Sequence, residues 1–304
     1  MKSKFIGALV GTGTGDALGA FFEGHFEVNI KAIEAAAESA EVLNYTDDTH
    51  MMIGIAESLI KSRGFDGEDM AATFAGNYEL EPWRGYGPGP PHIFRMLRAG
   101  IAWDEVAERL YRGGSYGNGS AMRIAPVGVL YHNNPERLIE VAHKSSQITH
   151  AHRLGKEGAA LQAGAVALAA GLDPGKGFDK HDFLANLAGF IEDRVYQEKL
   201  SLIEELLDSH DRYRVVVELG NGIEAFNSVP AAIYSFISSP DSFAQAVTGA
   251  ISMGGDTDTI GAMTGAIVGA YLGVDAIPVA WRDRLENRDY IVELGKKLWS
   301  LASL

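Results

Sequence analysis

The chain has 304 residues, of which 46% are hydrophobic and 22% are charged, and this is the composition of an ordinary globular protein. It contains no cysteine, so disulfide bonds, thiolate catalysis and cysteine-ligated zinc are excluded. The formal net charge of −14 at pH 7 disfavours a broad electrostatic interaction with nucleic acid, and we expect none. An anionic ligand would need local hydrogen-bond donors or metal ions to offset this charge.

The N-terminal segment, residues 2–22, has an apolar run after two lysines and in this respect imitates a signal peptide. Because Asp16 and several glycines interrupt the run, we expect a helix that stays in the mature protein. The apolar stretch at residues 260–274 is too short to cross a membrane and predicts a buried core helix. We therefore expect a cytoplasmic protein without membrane contact.

Apolar residues recur at helical spacing along almost the whole chain, and alternating strand-like runs are scarce, so the predicted fold class is all-α. Glycines at positions 261, 265 and 269 leave shallow grooves on the core helix, which neighbouring helices should approach closely. No linker-like stretch rich in Pro, Gly or Ser divides the sequence, which predicts one domain over residues 1–304.

Two further segments have distinct compositions. Residues 81–91 are rich in proline and glycine and predict a loop, either at the rim of a site or as a simple connection. Residues 196–213 are rich in Glu and Leu and predict an exposed amphipathic helix.

Residues 254–259, with the sequence GGDTDT, place two carboxylates and two hydroxyls between two apolar segments. Two like charges one residue apart repel, so a fold that keeps both ionised supplies a cation or several donors. The same residues suit the start of a helix, where unpaired amides and the helix dipole favour aspartate. Taken alone, a helix cap and a metal site are equally good interpretations.

Residues 46–49, with the sequence TDDT, repeat this composition just before a helix predicted near Met51. Two such clusters far apart in sequence predict that two helix N-termini converge on shared metal. Adjacent helical residues point about 100° apart, so paired aspartates are suited to bridging two ions. Ligation by oxygen favours Mg²⁺ or Mn²⁺ over zinc, and the acid spacing of an EF-hand is absent after Asp256.

Residues 113–120, with the sequence GGSYGNGS, are rich in glycine and in small hydrogen-bonding side chains. Glycines allow the backbone to turn its amides toward an anion, which makes the segment a candidate phosphate-binding loop. The Lys-Ser/Thr ending of a Walker A loop is missing. A simple turn is the alternative interpretation.

Two more groups are candidates for chemistry. Glu23 follows two aromatic residues just beyond the first helix, so it is either an acid or base with a raised pKa or an exposed loop carboxylate. His150 and His152 are two residues apart and cannot share a helix face as zinc ligands. One of them could hydrogen-bond a ligand, and the alternative is that both are structural.

The full set of motifs has a distinctive order. The sequence carries GDALG at residues 15–19 followed by Glu23, YTDDT at 45–49, GSYGNG at 114–119, MR at 122–123, TH at 149–150 and GGDTDT at 254–259. This ordered set resembles the ADP-ribosylglycohydrolase family, and the resemblance extends over essentially the whole chain. It implies a compact orthogonal bundle of many helices with a centre of two Mg²⁺ ions, or Mn²⁺ in their place.

The resemblance also implies roles for individual residues. The implied metal ligands are Thr46, Asp47, Asp48, Asp256, Asp258 and Thr259. The implied contacts to ADP-ribose are Gly114, Ser115, Tyr116, Gly117, Asn118, His150 and Ile223. Glu23 matches the mobile catalytic glutamate of the family, and we expect Asp258 to assist it.

The implied function is hydrolysis of the glycosidic bond between ADP-ribose and its acceptor, with release of ADP-ribose. The GSYGNG form and the WRGYG loop at residues 83–87 are similar to the branch that acts on serine-linked ADP-ribose, poly(ADP-ribose) and O-acetyl-ADP-ribose. The alternatives are an arginine-specific hydrolase, a catalytically silent ADP-ribose-binding relative and a phosphohydrolase acting on the diphosphate. We expect the protein to act as a monomer.

Two segments depart from the family pattern. Glu23 is followed by Gly24, and His25 by Phe26, where the pattern has alanine and aspartate, which leaves acceptor selectivity open. The register places Leu110 where an aromatic residue would stack on adenine, with Tyr111 beside it. The adenine-stacking residue is therefore not assigned from the sequence.

Overall fold

The computed structural model describes residues 1–207 and 212–303, and within these ranges the chain forms seventeen α-helices and no β-strand. The helices are α1 (Lys2–Gly19), α2 (Ile30–Ser39), α3 (Asp47–Ser62), α4 (Gly67–Leu80), α5 (Gly89–Arg98), α6 (Val106–Leu110), α7 (Ala125–Leu130), α8 (Pro135–Gln147), α9 (Arg153–Gly171), α10 (Lys180–Leu187), α11 (Arg194–Leu206), α12 (Arg212–Leu219), α13 (Ala225–Ser238), α14 (Phe243–Ile251), α15 (Thr257–Leu272), α16 (Val279–Arg284) and α17 (Arg288–Ala302). The all-α prediction is confirmed.

Helices α1 and α15 run antiparallel at the centre of the fold and meet through glycines on both sides. A Cβ atom built on Gly11 would lie 2.2 Å from Gly265 O, and one built on Gly265 would lie 2.1 Å from Gly11 O. The pairs Gly7 with Gly269 and Gly15 with Gly261 repeat this approach at four-residue intervals. The predicted close approach to the core helix is confirmed, and only glycine fits at these crossings.

Helix α1 is long and apolar enough to cross a membrane, but 83% of its most apolar window is buried inside the protein. Helices α3, α7, α9, α13, α14 and α17 surround the α1 and α15 pair. The buried side chains form one hydrophobic core cluster that extends from Phe5 to Leu298. The apolar character of α1 is therefore explained by its position at the centre of this core.

Two predicted segments differ in part from the structure. The loop predicted at residues 81–91 ends at Pro88, because Pro90 and Pro91 lie in the first turn of α5, where proline is tolerated. The helix predicted at residues 196–213 is observed as α11 and the start of α12, while residues 208–211 lie outside the described ranges. Tyr196, the first residue of the predicted helix, is fully buried and donates a hydrogen bond from its hydroxyl to Leu154 O at 2.6 Å.

The C-terminal end of α1 connects the N-termini of α3 and α15. Thr257, at the start of α15, donates from Oγ1 to Gly19 O at 2.9 Å. Asp16, one turn earlier in α1, accepts hydrogen bonds from Thr46 and Thr49 at the start of α3. The two acidic clusters are therefore brought to the same end of the central helix pair.

Candidate active site

A cavity of about 740 Å³ opens where α3 and α15 begin. Six carboxylate residues contribute to its lining: Glu23, Asp47, Asp48, Glu224, Asp256 and Asp258. The glycine-rich loop, with His150 and Ile223, forms another part of the same lining. All the site residues named from the sequence therefore line one cavity, with the exception of Thr46.

Thr46 lies outside the cavity lining because it caps α3. Its Oγ1 donates to Asp16 Oδ1 at 2.8 Å and accepts from the amide of Asp48 at 3.3 Å. The structure thus shows a helix cap at a position where the sequence also predicts a metal ligand. The ligand role of Thr46 stays a prediction.

Asp16 is a supporting residue to which the sequence reasoning gave no role. Its fully buried carboxylate accepts hydrogen bonds from Thr46 N at 3.1 Å, from Thr49 N at 3.0 Å and from Thr49 Oγ1 at 2.5 Å. Burial raises the pKa of Asp16 to about 6, although these hydrogen bonds act in the opposite direction. The sequence signal for this supporting role is an aspartate within an apolar helix, because a buried acid is retained only when it has hydrogen-bond partners.

The α15 cluster contains a candidate metal site. Glu23, Asp256 and Asp258 each offer a carboxylate oxygen, and these oxygens lie within 4.8 Å of one another. Glu23 is exposed, whereas both aspartates are buried. Asp258 Oδ1, in the first turn of α15, accepts from the amide of Thr259 at 2.9 Å, whereas the N-cap residue Asp256 makes no side-chain capping hydrogen bond.

The α3 cluster contributes carboxylates that lie outside this group of three but line the same cavity. Asp48 is buried, and its Oδ2 has no hydrogen-bond partner within residues 1–207 and 212–303. Burial raises the pKa of Asp48, and the charges of Asp16 and Asp258 raise it further. The α3 and α15 clusters therefore lie close enough to interact electrostatically, while the shared metal stays a prediction.

The remaining aspartates show the same effect. Burial raises the pKa of Asp258 to about 9, with a further contribution from Asp256, whose own pKa is also raised by burial. Partial burial and the neighbouring Asp16 raise the pKa of Asp47 to about 7. A hard cation stabilises clustered, buried carboxylates, particularly where one oxygen has no hydrogen-bond partner. These residues therefore fit a metal site.

The glycine-rich loop is held in place by a short antiparallel pairing with residues 223–225. Asn118 N donates to Ile223 O at 2.9 Å, and Ala225 N donates to Tyr116 O at 3.0 Å. The side chain of Asn118 is buried and donates from Nδ2 to Asp256 Oδ2 at 2.5 Å. The loop is therefore linked directly to the acidic cluster, which makes the simple-turn interpretation insufficient.

Several amides of this loop already have acceptors in the protein. Gly114 N donates to Tyr111 O at 2.7 Å, and Gly117 N donates to Ser115 Oγ at 3.1 Å. Asn118 N also donates to a backbone acceptor. Three amides of the predicted phosphate-binding loop therefore already donate hydrogen bonds within the described residues. The loop consequently offers fewer backbone donors to an anion than its glycine content suggests.

The two histidines have different positions. His150 lines the cavity, and its Nδ1 lies 2.8 Å from Thr149 Oγ1. Burial and the nearby Arg123 lower the pKa of His150 to about 3, so the imidazole is neutral. His152 caps α9 by accepting from Leu154 N at 3.1 Å, so the structural interpretation applies to His152 and the ligand contact remains available to His150.

The rim of the cavity includes part of the segment predicted as a loop. Residues 85 and 87–90 line the cavity, so this segment is a rim and more than a connection. Arg84 anchors it, because Nη1 and Nη2 donate to Glu286 at 2.6 and 2.9 Å. Leu110 and Tyr111 both contribute to the lining, and the ring of Tyr111 packs against Gly89.

A family model of ADP-ribosylglycohydrolase matches residues 1–304. The chain therefore belongs to the ADP-ribosylglycohydrolase family, and the class of protein defined by this fold and cavity is an ADP-ribosyl hydrolase.

Individual relatives agree with this assignment. The chain is 39% identical to the ADP-ribosylhydrolase ARH3 of Homo sapiens, over 97% of this chain and 93% of that protein. It is 25% identical to the ADP-ribosyl-(dinitrogen reductase) glycohydrolase of Rhodospirillum rubrum, over 95% of this chain and 92% of that protein. A solved structure named ADP-ribosylglycohydrolase-related protein complex superposes with a TM-score of 0.75 at 25% identity, over 99% of this chain and 98% of that one.

Proposed function

We propose that the protein is a Mg²⁺-dependent hydrolase that releases ADP-ribose from serine-linked ADP-ribose, poly(ADP-ribose) or O-acetyl-ADP-ribose. The observation that carries this proposal is the hydrogen bond from Asn118 to Asp256, because it joins a candidate diphosphate-binding loop to a carboxylate cluster in one cavity. An acid cluster beside a glycine-rich loop with polar side chains suits a substrate with a sugar to be cleaved and a diphosphate to be held.

Two divalent cations, Mg²⁺ or Mn²⁺, are proposed at the acidic clusters. Asp47 and Asp48 would hold them from α3, and Asp256, Asp258 and Thr259 from α15. When bound, such ions orient a sugar and act as Lewis acids toward its oxygens. The orphaned Oδ2 of Asp48 and the raised carboxyl pKa values support this assignment.

The protein's own residues then have separate tasks. The loop at residues 114–119 binds the diphosphate and riboses, and neutral His150 contributes a hydrogen bond. Glu23 is the proposed proton-transfer residue at the glycosidic oxygen, since it is the exposed member of the carboxylate group. Gly24, which follows it, has a φ of 78°, and a Cβ built there would meet no atom within 4 Å. Asp258 lies beside Glu23 and is proposed to assist it.

The identities favour the serine-directed branch over the arginine-directed one. The chain is 39% identical to an ADP-ribosylhydrolase ARH3 but 25% identical to the ADP-ribosyl-(dinitrogen reductase) glycohydrolase, which the family resemblance assigns to the arginine-specific branch. The retained Glu23 and paired aspartates argue against a silent ADP-ribose-binding relative.

The decisive experiment is a substrate panel. Serine- and arginine-ADP-ribosylated peptides, poly(ADP-ribose) and O-acetyl-ADP-ribose are incubated with the protein in Mg²⁺, and free ADP-ribose is quantified. We expect release from the serine peptide and loss of that release in EDTA. Release only from the arginine peptide would assign the other branch, and formation of AMP would indicate a phosphohydrolase.

Location and assembly are further proposals. The high burial of α1 supports a protein that stays out of the membrane, and we propose a cytoplasmic monomer. Size-exclusion chromatography with light scattering and cell fractionation test this. A stable dimer or a membrane-bound pool would contradict it.

A further inference from the structure

The cavity lining contains a single Lys or Arg side chain among the described residues, that of Arg112. It lies on the segment between α6 and the glycine-rich loop, and its side chain is exposed. The nearby Arg109 pairs with Glu105 at 2.7 Å, whereas Arg112 has no ion-pair partner within residues 1–207 and 212–303. An unpaired guanidinium at the rim of an acidic cavity is available to an anionic ligand.

The charges in the cavity favour such a group. Six carboxylates line it, and divalent ions at the four aspartates would leave Glu23 and Glu224 uncompensated. A diphosphate ligand would add two more negative charges to the cavity. His150 lines the cavity but is held neutral by burial, with a pKa lowered to about 3.

The backbone donors of the loop do not replace a cation. The backbone amides of Gly114, Gly117 and Asn118 already donate hydrogen bonds to acceptors in the protein. A guanidinium presents several donors in a planar fork that matches two phosphate oxygens at once. The residue immediately before the loop therefore complements what the loop amides lack.

We propose that Arg112 binds the diphosphate of ADP-ribose at the cavity rim and makes the site selective for substrates that carry this group. The role rests on the proposed function, since it takes ADP-ribose as the ligand. Arg112 contributes to substrate affinity and to charge-assisted capture, and it has no part in the bond cleavage.

The test compares Arg112→Ala and Arg112→Lys with Arg109→Ala, a matched control three residues earlier, at the end of α6. Calorimetry gives the Kd of ADP-ribose and of adenosine, which lacks the diphosphate, at several salt concentrations. We expect Arg112→Ala to weaken ADP-ribose binding about three- to tenfold, to leave adenosine binding as in the wild type, and to flatten the salt dependence. Arg112→Lys should recover part of the loss because it keeps the charge but not the fork.

The outcomes separate this role from the proposed function. ADP-ribose binding that is equal in wild type and Arg112→Ala, an equal loss in Arg109→Ala, or a parallel loss for adenosine would overturn the role of Arg112 alone. A wild-type protein that binds no ADP-ribose would overturn the proposed function as well. With a hydrolysable substrate, the loss in kcat/KM should come from KM.

Discussion

Asn118 Nδ2 donates a hydrogen bond to Asp256 Oδ2 at 2.5 Å, across 138 positions of the sequence. The same amide nitrogen lies 3.0 Å from Ser228 Oγ, so both of its hydrogens have acceptors. The side chain of Asn118 therefore fixes the glycine-rich loop relative to the start of α15. The carboxyl of Asp256 also interacts with the side chains of Asp258 and Thr259, so the loop contact and the α15 cluster meet at this residue.

Asn118→Ala should uncouple the loop from the acidic cluster. Hydrogen bonds to charged groups contribute about 1.5–3 kcal/mol, so we expect kcat/KM to fall between about tenfold and a hundredfold. The measurement is the initial rate of ADP-ribose release. Asn186→Ala is the matched control, since Asn186 is exposed and bonds only within α10; an equal effect of both substitutions would refute the coupling.

Glu23→Gln should remove proton transfer while it preserves the shape of the side chain. General acid and base groups contribute about 10²- to 10⁴-fold to rates, so we expect kcat to fall at least about a hundredfold. ADP-ribose affinity, measured by calorimetry, should persist. Glu27→Gln is the control because Glu27 is exposed on the same segment, and turnover near the wild-type rate in Glu23→Gln would eliminate the assigned role.

Asp16→Asn should weaken metal binding although Asp16 is not a proposed ligand. The substitution replaces an acceptor with an amide donor opposite the Thr46 and Thr49 donors, which displaces the start of α3. Supporting residues of this kind change metal affinity about ten- to a hundredfold. Mg²⁺ affinity by calorimetry checks this, with Asp66→Asn, an exposed cap on α4, as the control; wild-type affinity in Asp16→Asn would disprove it.

The metal-free protein should lose stability as the pH rises. The folded-state pKa values of Asp16, Asp47 and Asp258, about 6, about 7 and about 9, lie above the ordinary value of 3.8. The folded state therefore holds protons that the unfolded chain releases, so the stability from these groups is fully present only below pH 3.8; it falls as the pH rises and is lost for Asp16 above about 6 and for Asp258 above about 9.

Mg²⁺ should offset this loss because it compensates the ionised carboxylates. We expect the Tm difference between Mg²⁺- and EDTA-treated protein to grow from about pH 5.5 to about pH 9. Differential scanning fluorimetry provides the measurement, with NaCl at matched ionic strength as the control. A Mg²⁺ effect that is independent of pH would count against the acidic clusters as the binding site.

Gly265→Ala should destabilise the fold strongly, because its Cβ would lie 2.1 Å from Gly11 O in the facing helix. Overpacking typically costs about 1–3 kcal/mol, and backbone atoms relax less readily than side chains. Gly249→Ala is the matched control, since Gly249 lies in α14 with nothing within 4 Å of a built Cβ. Urea titration should show a stability gain of up to about 1 kcal/mol for Gly249→Ala, and equal effects of both substitutions would contradict the close crossing.

The sequence by itself determined the helical class and the two oxygen-rich helix starts, and its motif order indicated the family. Helical periodicity and capping preferences act between residues a few positions apart, so they are readable without the fold. The glycines at positions 261, 265 and 269 likewise predicted a crowded helix, although not that Gly7, Gly11 and Gly15 of α1 would face them.

Only the tertiary structure decided which polar atoms meet. It paired Asp16 with the start of α3, turned the Thr46 hydroxyl toward Asp16, and brought Glu23 within reach of Asp256. It also placed Arg112 in the cavity lining, although no motif marks it. Such contacts depend on how distant helices pack and on which groups are buried together, and burial is a property of the assembled core rather than of any local stretch of sequence.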